Sequence, residues 1–218
     1  MELLNKHERL EVEVLDHLAR GGYFRRIVFG GGTMLRLCHE LPRYSVDLDF
    51  WFSRKTGYEK FHQNMEIFLS KNYELTDVCN KHYTLLYELR SGLSDRKLKI
   101  EIRKEIVQRG VESKIAFSGH ASSQVLVQAL SLEESARRKK KALLSRNEIR
   151  DYFDMEFLLK KGIRMEFSGK EKKEIEKRVI LFKKEDYSVS LGSLLDKKLR
   201  EYYVKNGFSY LLEKLRSF

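Results

Sequence analysis

The periodicity of the chain changes once. Up to about residue 130, short runs rich in β-branched and aromatic side chains alternate with helical stretches; beyond it, apolar residues recur at helical spacing almost to the end. Strand-like runs must pair into a sheet and helices must cover it, so this order confines the chain to an α+β fold. The expected division is residues 1–130 for the sheet-bearing part and 131–218 for a helical part. No Gly/Ser/Pro-rich linker marks the boundary, and Pro42 is the single proline.

Within the first part, helical spacing of Leu10, Val14, Leu15 and Leu18 predicts a helix over 3–19 that Gly21-Gly22 ends. A buried strand is expected at Arg26–Phe29, then a glycine run, Gly30-Gly31-Gly32, and a helix starting near Thr33. Strands follow at 46–52, 73–78, 83–89 and 98–106, with a helix over 57–71 and a short apolar run at 124–130. The second part reads as helices near 131–145, 149–161, 170–183, 190–204 and 207–217, the first opened by Ser131-Leu132-Glu133-Glu134 at capping-box spacing.

Composition narrows the function class. A chain of 218 residues can bury roughly 70 % of its unfolded surface and needs no staples. With 42 % hydrophobic and 11 % aromatic residues it is not a disordered chain. No run approaches the ~18 apolar residues of a membrane span, and the opening MELLNKHERLEVEV does not read as a signal peptide. Two cysteines, Cys38 and Cys79, make neither a disulfide framework nor a zinc site, so a cytoplasmic protein without a disulfide-linked partner is expected. The net charge is +11; residues 131–218 hold 23 basic and 15 acidic side chains, a net of +8. That excess points to a polyanion such as nucleic acid, although solvated lysine-rich helices would have the same composition.

Asp47 and Asp49 are the most informative pair. Residues i and i+2 of a strand share a face, so both carboxylates project together from an apolar strand. Like charges so close repel, and a divalent cation with hard oxygen ligands, Mg²⁺, removes the repulsion. Gly31, Gly32 and Thr33 stand at a strand-to-helix junction fourteen to sixteen residues earlier in the chain, where free N–H groups and the Thr33 hydroxyl suit a triphosphate. A tight turn would explain the glycines equally well, and no P-loop lysine follows them. Glu101, on the polar face of the 98–106 strand with Lys97, Lys99 and Arg103, is a third candidate ligand or a solvent-facing ion-pair residue. The six histidines show no metal-ligand spacing.

Taken together, GGTMLRLCHELPRYSVDLDF (31–50), LKIEI (98–102) and KKKALLSRNEIRDYFD (139–154) resemble the AbiEii/AbiGii-type nucleotidyltransferase toxins. That group includes the MenT toxins and lies within the DNA polymerase β-like superfamily. The resemblance implies a mixed sheet flanked by helices, with a helical C-terminal part that completes the active site. It implies metal ligation by Asp47 and Asp49 with Glu101 assisting, a triphosphate turn at Gly31, Gly32 and Thr33, and a catalytic pair of Lys139 and Asp154. Arg150 would contact the nucleotide, with Asp151 either orienting it or serving an interhelical salt bridge. Arg146 and Arg150 would be i,i+4 partners if one helix ran through both. Because Lys139-Lys140-Lys141 is a run, Lys140 is the alternative to Lys139. The implied activity is Mg²⁺-dependent transfer of a nucleoside monophosphate from an NTP to an acceptor hydroxyl, above all the 3′ end of tRNA, by the toxin of a toxin–antitoxin pair. Two other readings stay open: nucleotide or phosphate transfer to a protein Ser, Thr or Tyr, and a basic RNA-binding module without catalysis.

Overall fold

The computed structural model describes residues 1–217. The chain divides into two compact units, Met1–Ser131 and Leu132 onward. In the first unit, strands β1 (Ile27–Gly30), β2 (Asp47–Phe52), β3 (Glu74–Asn80), β4 (Thr84–Ser91), β5 (Ser94–Ile106), β6 (Val111–Ala116) and β7 (Val125–Leu130) form one mixed sheet. Its order is β3-β4-β5-β2-β1-β7-β6, with β1–β7 and β2–β5 parallel and the other neighbours antiparallel. Helix α1 (Glu2–Arg20) packs against β5 and β7, α2 (Gly31–His39) against β2 and β6, and α3 (Tyr58–Ser70) against β3.

The hydrophobic pattern explains these contacts. Leu10, Val14, Leu15 and Leu18 line one side of α1 and are completely buried. Gly22, at φ +70°, ends that helix in a conformation that favours glycine. On β2, in the middle of the sheet, Leu48, Phe50 and Phe52 are fully buried; Phe50 meets Phe29 at 5.3 Å between ring centroids, and Phe52 meets Phe61 edge-on at 5.0 Å. Each such side chain contributes about 1.5–3 kcal/mol by leaving water, which fixes β2's register and therefore the side on which its aspartates stand.

Strand β6 has no counterpart among the sequence expectations. It is an edge strand whose Val111 and Ile115 remain exposed, so pairing with β7 rather than burial stabilises it.

The second unit contains α4 (Leu132–Ser145), α5 (Ile149–Lys160), α6 (Gly169–Leu181), α7 (Lys197–Asn206) and α8 (Ser209–Ser217). Glu156 of α5, fully buried, accepts hydrogen bonds from Lys160 Nζ (2.6 Å), the Tyr203 hydroxyl (2.8 Å) and the Leu211 amide (3.2 Å), fastening α7 and α8 to α5. Arg178 donates to the Leu143 and Leu144 carbonyls and so caps the end of α4. The helix expected over 190–204 is interrupted. A π-helical turn, Asp186–Leu191, and a 3₁₀ turn, Gly192–Leu194, precede α7, which starts afresh where the Asp196 side chain accepts from the Leu199 amide at 2.9 Å.

Candidate active site

The glycine run forms the junction between β1 and α2, and the strand paired with β1 is β2. Antiparallel pairing sets Gly30 opposite Asp49. Gly31 turns the chain at φ +77°, and a methyl group there would lie 2.8 Å from Asp49 Cβ. Gly32 is equally crowded: a Cβ would stand 2.6 Å from Arg43 Nη2 and 2.7 Å from Ser45 Oγ. The bend therefore lies directly against the Asp49 carboxyl group, with the guanidinium of Arg43, itself 3 % exposed, beside the first turn of α2.

Asp47 and Asp49 share the half-buried face of β2. The parallel register of β2 and β5 sets Asp47 opposite Lys99 and Asp49 opposite Glu101. Glu101 is thus brought to the aspartates, and its strand neighbours Ile100 and Ile102 face the core. Lys99 has a part the sequence reading did not assign: its ammonium lies 3.6 Å from Asp47 Oδ2 and 3.1 Å from Glu101 Oε1. Partial burial alone would lower the Lys99 pKa. The hydrogen bond to Glu101 and the charges of Asp47, Glu101 and Asp49 outweigh it and raise the pKa above the ordinary lysine value. Only the long-range pairing of β2 with β5 reveals this bridge.

Thr33 requires a correction. Its side chain is fully buried, and its hydroxyl donates to the Asp47 carbonyl at 2.6 Å, not outward to a ligand. What α2 offers at that position is backbone N–H. From α1, His7 approaches the Val46 carbonyl at 3.0 Å through Nε2 and Ser94 Oγ at 3.4 Å through Nδ1. Thr33 and His7 thereby fix the two carbonyls at the start of β2. His7 is 1 % exposed, and burial lowers its pKa despite the Val46 carbonyl. Glu11 lies behind them, completely buried. Because the Thr33 proton is committed to Asp47, neither Glu11 carboxyl oxygen has a hydrogen-bond partner among the described residues, and His7 Nε2 is 3.7 Å away. Burial, reinforced by Glu8 and only partly offset by Arg36 and Thr33, raises the Glu11 pKa well above its ordinary value.

In the second unit, α4 and α5 bring the motif residues together. Lys139 Nζ lies 2.5 Å from Asp154 Oδ2 and 3.5 Å from Asp151 Oδ1, with both aspartates fully buried. Lys140 points elsewhere, to the Glu166 carbonyl at 2.7 Å and Glu171 at 3.0 Å. Of the two roles open to Asp151, the structure shows the interhelical salt bridge, with Lys139 of α4, and Arg150 is not its partner. Arg146 holds Asp151 with two hydrogen bonds, Nε to Oδ2 at 2.7 Å and Nη2 to Oδ1 at 3.0 Å. The helix breaks between Ser145 and Ile149, so Arg146 and Arg150 are not i,i+4 partners and Arg146 reaches back to α5. Arg150 is 43 % exposed with Glu148 at 3.9 Å, outside the Lys139 network.

The donor set fits a hard divalent cation. Among the described residues no group of three or more His, Cys, Asp or Glu side chains is arranged to hold a metal. Mg²⁺ does not need such a cage: it is commonly bound by one or two carboxylates, with substrate phosphates and water completing the shell. Asp47 and Asp49 are a pair of that kind. Cys38 is no competing ligand, since burial pushes its thiol up to about 12.

Paired carboxylates beside a glycine turn, on a mixed sheet flanked by helices, are the outline of a nucleotidyltransferase, and solved structures share the fold. JHP933 of Helicobacter pylori aligns with a TM-score of 0.56 at 19 % identity, over 100 % of this chain and 95 % of that one. MenT4, a nucleotidyltransferase toxin of Mycobacterium tuberculosis, aligns with a TM-score of 0.53 at 17 % identity, over 96 % and 82 % of the two chains. No curated protein sequence matches. The profile of the nucleotidyl transferase AbiEii toxins, from type IV toxin–antitoxin systems, matches residues 13–205, and the chain belongs to that family. Membership implies an NTP substrate and an antitoxin counterpart. No helix among the described residues is long and apolar enough to cross a membrane.

Proposed function

We propose that the protein is a cytoplasmic toxin that transfers a nucleoside monophosphate from an NTP to the 3′-terminal hydroxyl of tRNA. The observation that carries this reading is the shared face of Asp47 and Asp49 against the Gly31 bend, with Glu101 opposite Asp49. Asp47 and Asp49 would hold Mg²⁺, with Glu101 assisting after Lys99 gives way. Bound there, the cation neutralises triphosphate charge and makes the acceptor hydroxyl more acidic. The backbone N–H groups of Gly32 and Thr33, with the Arg43 guanidinium near them, bind the β- and γ-phosphates. The acceptor oxygen attacks the α-phosphorus, the bond to the bridging oxygen breaks, pyrophosphate departs, and the hydroxyl proton leaves through the carboxylate face to solvent. Lys139, oriented by Asp154, stabilises negative charge developing on the phosphates, and Arg150 is left for the nucleotide or the acceptor. The net charge of +11 supports a polyanionic acceptor.

The test is incorporation of each labelled NTP into total tRNA with Mg²⁺ present. Label in an RNase-sensitive product, lost at least 10³-fold in Asp47→Asn with Asp49→Asn, is the expected result. Label that survives RNase and disappears with protease would move the acceptor to a protein side chain. Absence of metal-dependent pyrophosphate release with any acceptor would remove catalysis from the account.

A further inference from the structure

Where α1 ends, the chain builds a second feature that the transfer chemistry does not use. After Gly22 a 3₁₀ turn, Tyr23–Arg25, folds back onto α3: the Tyr23 ring packs on Phe68 at 4.9 Å and edge-on to Phe61 at 5.7 Å, and its hydroxyl donates to the Asn64 carbonyl at 3.2 Å. Gly21 is pressed so closely to Phe68 that a Cβ would stand 2.8 Å from the ring. The turn is thus held in place, and it carries Arg25 and Arg26. The amide of Ser53 donates to the Arg26 carbonyl at 2.8 Å, which sets Arg54 beside them. Arg25, Arg26 and Arg54 line a cavity of about 320 Å³ with Tyr23, Phe61 and Asn64, and no carboxylate residue lines it.

All three arginines are exposed, and none makes a side-chain hydrogen bond or ion pair with another described residue. Three like charges brought together with no counter-charge repel one another, and an anion removes that repulsion. Planar guanidinium forks suit phosphate oxygens in particular. Solvent competes strongly for a single small anion at such an open site. A chain of linked phosphates, whose binding releases counterions at every contact, gains where a free phosphate does not.

The pocket lies at the far end of the β1–β2 ladder from the carboxylates. Asp49 pairs with Gly30 and Phe52 with Ile27, so the end of β2 at Phe52 is three residues, about 10 Å, along the strand from Asp49, and Arg54 lies beyond that end. We infer that Arg25, Arg26 and Arg54 form a phosphate-backbone contact for the RNA acceptor, separate from the triphosphate site, that holds the body of the RNA while its end is modified. This rests on the reading of RNA as acceptor.

The experiment measures binding of fluorescent tRNA by anisotropy between 50 and 300 mM salt. It compares the full chain with a triple Arg→Gln variant, a triple Arg→Lys variant and, in parallel, NTP incorporation. For the Gln variant we expect at least tenfold weaker binding and a salt slope shallower by about two to three, as three lost phosphate contacts require. The Lys variant should recover most of the affinity, with the KM for NTP unchanged in both. Equal affinity and slope for wild type and the Gln variant would overturn the inference, as would a wild type that binds no RNA. Equal loss of binding to polyglutamate would overturn the assignment to phosphate. RNA binding that depends on these arginines in a protein that adds no nucleotide to RNA would sustain the arginine–phosphate contact but defeat its role in holding an acceptor, along with the proposed transfer.

Discussion

Gly31 and Asp49 are in mutual van der Waals contact across the β1–β2 pair: the absence of a side chain at position 31 is what leaves room for the carboxyl group at position 49. Gly31→Ala would add a methyl group that overlaps Asp49 and would hold a non-glycine residue at φ +77°. The backbone strain alone costs about 1–2 kcal/mol. Displacing the carboxylate costs more in function, since a 1 Å misplacement at a reacting centre can lower a rate about 10²-fold. The expected result is a modest fall in melting temperature with a loss of nucleotide transfer near two orders of magnitude. Thermal unfolding beside a steady-state assay checks it, and a variant that keeps full activity would remove Asp49 from the reaction.

Lys99 stands where a divalent cation would have to compete. Its ammonium bridges Asp47 and Glu101, so binding a metal at those carboxylates means breaking two partly exposed ion pairs. At roughly 0.5 kcal/mol each, their removal in Lys99→Met should strengthen Mn²⁺ or Mg²⁺ binding to the nucleotide-free protein about fivefold. The same variant should be less stable without metal, because three carboxylates then face one another. Isothermal titration with Mn²⁺, and melting with and without the ion, measure both effects. Unchanged metal affinity would show that the cation does not use Asp47 or Glu101.

The parts of the site that the sequence revealed are those governed by local periodicity. Asp47 and Asp49 fall on one face because strand side chains alternate, and apolar Leu48 and Phe50 determine which face is dry. The strand-to-helix junction at Gly30–Thr33 was legible for the same reason. Lys99 shared a predicted face with Glu101, but its bridge to Asp47 depends on β2 and β5 being parallel neighbours in one register, a long-range fact that no short window contains. Thr33 was misread because a hydroxyl at a helix start can turn inward as readily as outward; the Asp47 carbonyl decides it. The motif spacing leaves Asp151 open to Arg150 or to a salt bridge between helices, because it cannot show the break after Ser145 that lets Arg146 reach Asp151. Edge strand β6 was hidden by its own exposure, as Ile115 and Val111 bury too little to mark a core-facing strand.

Glu11 and His7 make the first unit sensitive to pH in opposite directions. The Glu11 pKa is raised by burial and by Glu8, so the folded state keeps a proton that the unfolded chain has released above its ordinary carboxylate value. Stability from this group is complete below about pH 4.5 and declines as pH rises toward its folded pKa. The His7 pKa is lowered by burial, so its contribution is complete above about pH 6.5 and declines as pH falls below that value. Glu11→Gln preserves shape and abolishes the first dependence. It should melt like wild type near pH 4.5 and above wild type at pH 8, a crossover that melting curves across that range would display. A variant less stable than wild type at pH 8 would mean that Glu11 is charged in the folded protein.

Lys139 has two possible duties, holding buried acids and acting on phosphate, and stability can be separated from chemistry. Its side chain is 14 % exposed, and its ammonium is shared between Asp154 and Asp151, both completely buried. Lys139→Met leaves the Asp154 carboxylate without that cation, a change of about 3–5 kcal/mol for a broken buried pair. Asp151 retains Arg146. Adding Asp154→Asn to Lys139→Met removes the buried carboxylate charge that Lys139 faced, so the double variant should regain at least half of the lost stability in urea unfolding. Nucleotide transfer should stay absent in both, because neutral side chains cannot supply the positive charge assigned to Lys139. If transfer returned with stability in the double variant, the lysine would be only a strut between α4 and α5, and the positive charge for the triphosphate would have to come from elsewhere in the protein.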